Sequence, residues 1–349
     1  LSRGLSRGLS RGLSRGLSRG LRIRGNNFFL DADKSPIHGG DPTKIIPMKK
    51  FLPSFVALTF GALLIALSGC GESQSGKSTG STDAKADGPL KVLLVLGGCC
   101  HDYTVQKDLL KAGIESRIKA IVDIEHNPDT TTEATFEIYH NENWADAYDV
   151  VIHDECSANV TDPAYVGRII NAHKNGTPAV NLHCAMHSYR WGEFKEPVAI
   201  GADNAGWYEM IGLQSSGHGP KAPIDLTHVD NTHPITVGFE DWTTLDEELY
   251  NNISIYENAH ALISGKQLQM PKKKKGAKAD PNAKPTEAEA VVAWTNEYGP
   301  NKTRIFSTTL GHFNETVADD RYLDLITRGL LWATGNLNED GTATPELKK

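Results

Sequence analysis

An open, doubly wound α/β sheet, mostly parallel with added antiparallel strands, is the fold class that the sequence predicts. Three observations predict it. The runs KVLLVLGG (91–98), YDVVIHDEC (148–156) and TPAVNLHC (177–184) are continuously apolar, as strands buried on both faces are. The stretches between them carry apolar residues at helical spacing, so the chain reads as βαβ units. After residue 220 the apolar runs shorten and are divided by Gly and Asn turns, which suggests hairpins or mixed strands. The whole is flavodoxin-like.

Taken in order, KVLLVLGG is a buried parallel strand ended by Gly-Gly, and VQKDLLKAGIESRIKAI (105–121) is the crossover helix behind it. A second, partly exposed strand is expected around ATFEIYHN (134–141). After the strand YDVVIHDEC comes DPAYVGRIINAHKNG (162–176), a helix with Asp162 as N-cap, Pro163 in the first turn and Gly176 as its stop. Next is TPAVNLHC, then the shorter runs IDLTHVD, ALISGKQ, AVVAWTNEYG and TRIFSTTLGH. DDRYLDLITRGLLWATG (319–335) closes the domain as an amphipathic helix stopped by Gly335. The folded domain is expected over residues 90–336, with a Lys-rich loop insertion at 270–288 and a disordered tail at 337–349.

Before the domain the chain changes character twice. LSRGLSRGLSRGLSRGLSRG repeats one tetrapeptide and builds no apolar face, so residues 1–47 read as low complexity upstream of a true start at Met48. From Met48 a basic MKK, the apolar run FLPSFVALTFGALLIAL and LSGC follow the layout of a secretory signal, residues 48–69. The cysteine at its end makes it resemble a bacterial lipoprotein signal, with Cys70 as the lipidated residue and 70–89 as a flexible tether. The expected location is the bacterial cell envelope, lipid-anchored on the periplasmic side or in the outer membrane. The alternative is an uncleaved anchor, since 17 apolar residues nearly span a bilayer.

Charge excludes one class of partner. Residues 1–69 hold 11 basic and 3 acidic groups, so the remainder carries −15 rather than the −7 of the whole chain. Such a surface repels phosphate backbones, and nucleic acid is not an expected partner. The basic run KKKKGAKADPNAKP (272–285) has no apolar partner residues and reads as a solvated loop, or else as a contact for an anionic surface. Besides Cys70 there are Cys99, Cys100, Cys156 and Cys184; an envelope location permits disulfides, although neighbours such as Cys99 and Cys100 rarely bond.

The histidines are informative by position. His101, His153, His183 and His312 each fall at or near the end of a strand-like segment. Ligands of open parallel sheets bind outside the carboxyl ends of the strands, so the four are aimed at one rim. SSGHGP adds His218 in a Gly-rich turn, DNTHPITVGF adds His233, and LDEELY adds Asp246, Glu247, Glu248 and Tyr250. A carboxylate among imidazoles can hold a divalent metal, zinc as the first guess, through His183, His218 and Glu248. The same set can hold sugar hydroxyls or divide acid and base roles. His126, His140, His173 and His228 read as surface or structural groups.

In this order, LGGCCHDY, YDVVIHDE, GTPAVNLHCA, IGLQSSGHGP, HPITVGF, DEELY, AVVAW and RIFSTTLGH resemble the ThuA-like (trehalose utilisation) domain. That family belongs to the class I glutamine amidotransferase-like superfold, and the resemblance covers about residues 90–335. It carries family positions onto His101, His183, His218, His233 and His312, and the acidic pair onto Glu247 and Glu248. The usual Asp of that pair is replaced by Glu247 or shifted to Asp246, so the choice of carboxylate stays open. In amidotransferases of the superfold a strand leads into a G-x-C-x-G elbow. That frame puts His183, not Cys184, at the nucleophile position, with Asn181 and Ala185 where the glycines would stand. A cysteine amidotransferase or protease is not expected.

The resemblance implies a saccharide ligand, either a disaccharide or a keto-sugar, and a sugar dehydrogenase as a partner in its metabolism. One expectation is a hydrolase or lyase using His183, His218, Glu248 and His312, with His101, His187, His233, Glu247 and Tyr250 contacting substrate. Trp191 and Trp207 flank the region and can stack on a sugar face or pack in the core. Another is a noncatalytic saccharide-binding lipoprotein, and a third is an interaction domain with a degenerate site.

Overall fold

The computed structural model describes residues 88–271 and 282–349. The leader, the Cys70 lipidation site, most of the tether and the centre of the Lys-rich insertion lie outside the described residues. Among those described, no helix is long and apolar enough to cross a membrane.

Strand β1 (Leu90–Gly98) is buried along its length except at Lys91, and helix α1 (Tyr103–Arg117) follows it. The chain then builds β2 (Ala120–Asn127), β3 (Val150–Cys156), α2 (Pro163–Lys174), β4 (Ala179–Leu182) and α3 (Gly206–Ile211). Asp162 caps α2 as its sequence indicates, accepting the Ala164 N–H at 3.0 Å. Strands β5 (Leu213–Ala222), β6 (Asp225–His228), β7 (Trp242–Thr243), β8 (Glu247–Ile255), β9 (His260–Gln269), β10 (Thr286–Tyr298) and β11 (Thr303–Thr308) come next. Two helices, α4 (Asn314–Val317) and α5 (Asp320–Ala333), end the regular structure.

Nine strands form one sheet in the order β2-β1-β3-β4-β11-β10-β9-β6-β7. The first five are parallel to one another and the last four are joined by antiparallel ladders. This is the flavodoxin-like doubly wound sheet with antiparallel additions. Leu110 and Ile114 of α1 share one apolar cluster with Tyr322, Ile326 and Leu330 of α5. Tyr165 and Ile169 of α2 share a second with Trp207 and Met210 of α3. Side chains of a strand alternate between faces, so β1 feeds both clusters: Val92, Leu94 and Leu96 enter the first, and Leu93 and Val95 the second. The sheet reverses direction between β1 and β3, which makes the carboxyl ends of these strands its switch point.

Several expectations are corrected. The second strand is Ala120–Asn127, not residues around 134–141. IKAI extends a helical spacing by one turn, but Ile118 is already extended (φ −137°) and the chain leaves the helix there. Residues Glu137–His140 form a 3₁₀ turn that seats Phe136 and Tyr139 in the second cluster. The tail at 337–349 is ordered: Leu337 bridges to Ala343, Ile118 bridges to Lys348, and Leu347 is fully buried. Its Leu347 carbonyl accepts the Lys119 N–H at 2.9 Å, so the last residues close over the space between α1 and β2. Cys99 and Cys100, although adjacent, are bonded to each other, and Cys156 is bonded to Cys184. The first pair sits in a turn where Gly97, Gly98 and Cys100 all have positive φ.

Gly98 marks a place where two strands converge tightly. Its φ is +93°, and a Cβ there would collide with the carbonyl of Cys156. Gly98→Ala is therefore expected to cost about 2–3 kcal/mol in urea unfolding. Gly167, inside α2 with open space around it, is the contrast. Gly167→Ala should stabilise by roughly 0.5–1 kcal/mol, because only the entropy of the unfolded chain changes.

Candidate functional site

Three imidazoles converge at the carboxyl edge of the parallel strands. His101 follows β1, His183 follows β4 and His312 follows β11. Each ring offers a nitrogen, and the three nitrogens lie within 4.8 Å of one another. Their ring centres are 4.7 Å apart for His101–His183 and His101–His312, and 5.3 Å for His183–His312. His183 stands at the elbow between β4 and a 3₁₀ turn, in the left-handed region at φ +38°. The elbow conformation thus persists without its glycines, held by the Thr309 carbonyl, which accepts from His183 Nδ1 at 2.6 Å. His101 Nδ1 lies 3.3 Å from the His312 carbonyl, so in both rings the proton belongs on Nδ1, and the Nε2 lone pair of His183 faces His312 Nδ1 at 3.2 Å.

The other half of the site comes from a separate antiparallel ribbon of β5 and β8. Its register sets His218 opposite Tyr250, Lys221 opposite Glu248 and Ala222 opposite Glu247. SSGHGP, which reads as a Gly-rich turn, is therefore a strand with irregular register on either side of His218. Glu248 Oε2 lies 3.6 Å from both His183 Nε2 and His312 Nδ1, and its Oε1 lies 3.4 Å from His218 Nδ1. Glu247 is fully buried and accepts the His312 N–H at 3.0 Å, tying the ribbon to the sheet rim. Tyr250 lies between two imidazoles, stacked on His187 at 4.2 Å and tilted against His183 at 5.2 Å. His187 in turn meets the Ser215 hydroxyl at 2.9 Å.

A cavity of about 640 Å³ opens beside this group, lined by Cys100, His101, Lys221, His312, Phe313 and Asn314 among others. His183 and Glu248 are buried next to its two imidazoles. Lys221, Phe313 and Asn314 carry no local signal in the sequence. Lys221 is three residues beyond His218 on the same strand and lies 5.2 Å over the Phe313 ring.

Two expected members lie elsewhere. His153 does not reach the rim: it is buried on the other side, with Nδ1 2.9 Å from Glu155 and Nε2 2.9 Å from His173. Tyr139 and Tyr189 also donate to that Glu155 carboxylate, so the group is a packed structural network. His233 packs against His260 and against Trp332, in the last turn of α5. Its Nδ1 accepts the Ile235 N–H at 3.2 Å, which closes a turn. Trp207 is core as well, donating its indole N–H to the Ala185 carbonyl at 2.9 Å, and is not free to stack on a sugar.

Burial sets the charge of the site. It pushes His101 down to about 4 and His312 to about 3, each helped by neighbouring cationic groups, and His183 lower than its ordinary value by a wide margin. All three rings are neutral near pH 7. Burial raises Glu248, against the pull of His218 and Lys221, and raises Glu247 to about 7. Three neutral imidazoles and a carboxylate are a donor set that suits a divalent metal such as zinc. His101, His183, His312 and Glu248 fit that role better than a set with His218, whose half-exposed ring already meets the Gly219 carbonyl at 2.9 Å.

Glu247 generates a pH prediction. Its folded-state value of about 7 lies above the ordinary 4.5, so its contribution to stability is complete below pH 4.5 and is lost as pH rises through 7. Relative to Glu247→Gln, wild-type protein treated with chelator should lose on the order of 3 kcal/mol between pH 4.5 and 8, read from urea midpoints. Parallel curves for the two proteins would show that Glu247 is ionised throughout.

A search among curated proteins returns no match. The fold is similar to that of a ThuA-like protein from Parabacteroides merdae, at 18% identity over 73% of this chain and 97% of that one, with a TM-score of 0.46. It is similar also to a ThuA-like protein from Bacteroides uniformis, at 14% identity over 75% of this chain and 98% of that one, with a TM-score of 0.48. Residues 92–333 match the family model ThuA, trehalose utilisation, and the chain belongs to that family of carbohydrate utilisation.

Proposed function

We propose that this protein is an envelope-anchored enzyme, tethered through a lipid on Cys70, that cleaves a disaccharide or keto-sugar as a hydrolase or lyase. The observation that supports it best is Glu248. A buried carboxylate raised above its usual range stands within 3.6 Å of two neutral imidazoles, beside a cavity large enough for a sugar. Such a group takes and returns protons near neutral pH more readily than an exposed glutamate.

On a keto-sugar, a carbonyl acidifies the adjacent C–H, and loss of that proton expels a neighbouring glycosidic oxygen. In this reading Glu248, behind the imidazoles, moves that proton, while His101 and His312, which line the cavity, orient the carbonyl and hydroxyl groups. Lys221 presents a positive charge to the same cavity, where negative charge develops on oxygen. On an unoxidised glycoside the same carboxyl serves as general acid to the leaving oxygen. His101, His183, His312 and Glu248 would hold a divalent metal, which when bound supplies a Lewis acid for the carbonyl. A sugar dehydrogenase that makes keto-sugars is the partner activity that this chemistry needs upstream.

A panel of glycosides that includes 3-keto disaccharides, assayed with and without added zinc, tests the reading. Glu248→Gln is expected to lower kcat by about 10²–10⁴-fold while leaving sugar affinity within a few-fold. Saccharide binding without turnover of any panel member would replace the enzyme by a saccharide-binding protein. Chelation followed by metal analysis of wild type and of His183→Ala measures the metal directly, with loss of metal expected in the variant.

A further inference from the structure

Four sulfurs gather at the switch point of the sheet, where the mechanism above uses none of them. Cys99 and Cys100 follow β1, Cys156 ends β3, and Cys184 follows the elbow histidine. Cys99 is bonded to Cys100 and Cys156 to Cys184. The two disulfides touch: Cys99 Sγ is 3.5 Å from Cys156 Sγ, and Cys100 Sγ is within 4.8 Å of it too. They differ in access. Cys100 is exposed and lines the 640 Å³ cavity, and Cys99 is half-buried. Cys156 is 4% exposed and Cys184 6% exposed, so a reductant in solution does not reach their bond directly.

We propose that the four cysteines form a thiol–disulfide exchange site that accepts an electron pair from an external dithiol at Cys99–Cys100 and passes it to the buried Cys156–Cys184 bond. The external dithiol first reduces the exposed pair and is itself oxidised to a disulfide, leaving Cys99 and Cys100 as thiols. The Cys99 thiolate then attacks Cys156 Sγ, already in contact; the Cys156–Cys184 bond breaks, and its electron pair leaves on Cys184, which takes up a proton. Finally the Cys100 thiolate attacks Cys99 Sγ. The Cys99–Cys100 bond re-forms, and Cys156 leaves as a thiolate and is protonated. In sum, one dithiol becomes a disulfide and one buried disulfide becomes two thiols. Adjacent cysteines suit the resolving step, because Cys100 is held beside Cys99 by the chain itself. The site stands on sulfur geometry alone and is independent of the sugar reading.

The test uses the full chain, oxidised in air, treated anaerobically with dithiothreitol, quenched in acid, alkylated and mapped by peptide mass spectrometry. In wild type, Cys156 and Cys184 are expected to become alkylable. In Cys99→Ser/Cys100→Ser their bond should be reduced at least about tenfold more slowly, since the exposed half is missing. In Cys100→Ser the attack cannot be resolved, so a Cys99–Cys156 bond should accumulate with Cys184 alkylated. Cys100→Ser removes the exposed half of the Cys99–Cys100 bond, leaves Cys99, Cys156 and Cys184 in place, and decides the matter should the double variant fold poorly. Equal reduction rates in wild type and the double variant overturn the proposal. An intact Cys156–Cys184 bond beside a free Cys99 in Cys100→Ser, or four free thiols in the air-oxidised protein, overturns it as well.

Discussion

A buried carboxylate ties the two halves of this site together at the histidine rim. Glu247 belongs to the β5–β8 ribbon, and it accepts the backbone N–H of His312, which belongs to the rim of the main sheet. Gln267 and Asn252 add further bonds between ribbon and sheet, and together they keep Glu248, His218 and Lys221 beside the imidazoles. The cost is a carboxyl group taken fully out of water, and its raised proton affinity measures that cost. Neighbouring Glu248, one residue on, points its charge into the imidazole group instead. Adjacent residues of one strand thus take opposite duties, the first joining elements and the second facing the imidazole group.

The parallel core does the complementary work. Its strands are short, apolar and covered on both faces, so their carboxyl ends are the places where polar residues can gather without disturbing packing. His101, His183 and His312 arrive there from strands that are not neighbours in sequence. Depressed proton affinity follows from that gathering, since each ring is desolvated and each would repel the charge of the others. A neutral, lone-pair-bearing cluster at neutral pH is the chemical product of the topology.

Much of this was legible from residue order. Continuous apolar runs revealed the parallel strands, Asp162 with Pro163 marked the start of α2, and strand-end position singled out three of the four rim histidines correctly. His153 failed because alternation along a strand decides which way a side chain points, and at a fully buried strand the pattern is silent about the face. The ribbon was hidden because SSGHGP has the composition of a turn, while its strand character comes from pairing with residues more than thirty positions away. His233 was read from a motif, yet its ring is used to close a local turn beside Trp332. The sulfur cluster joins residues 57 and 28 positions apart, and no local pattern announces such a meeting.

The distance along the chain between the elbow and its support has a consequence for how the protein comes to exist. His183 leans on the carbonyl of Thr309, 126 residues later, and β4 pairs with β11 across the same span. Closing so long a loop costs entropy that only the finished sheet repays. Strands β1, β3 and β4 can associate early, but they present two histidines to solvent and no site. The third imidazole, the elbow's hydrogen bond and the anchor for Glu247 all arrive with β11. The assembled site is therefore a property of the completed chain, and a partly folded intermediate would lack it.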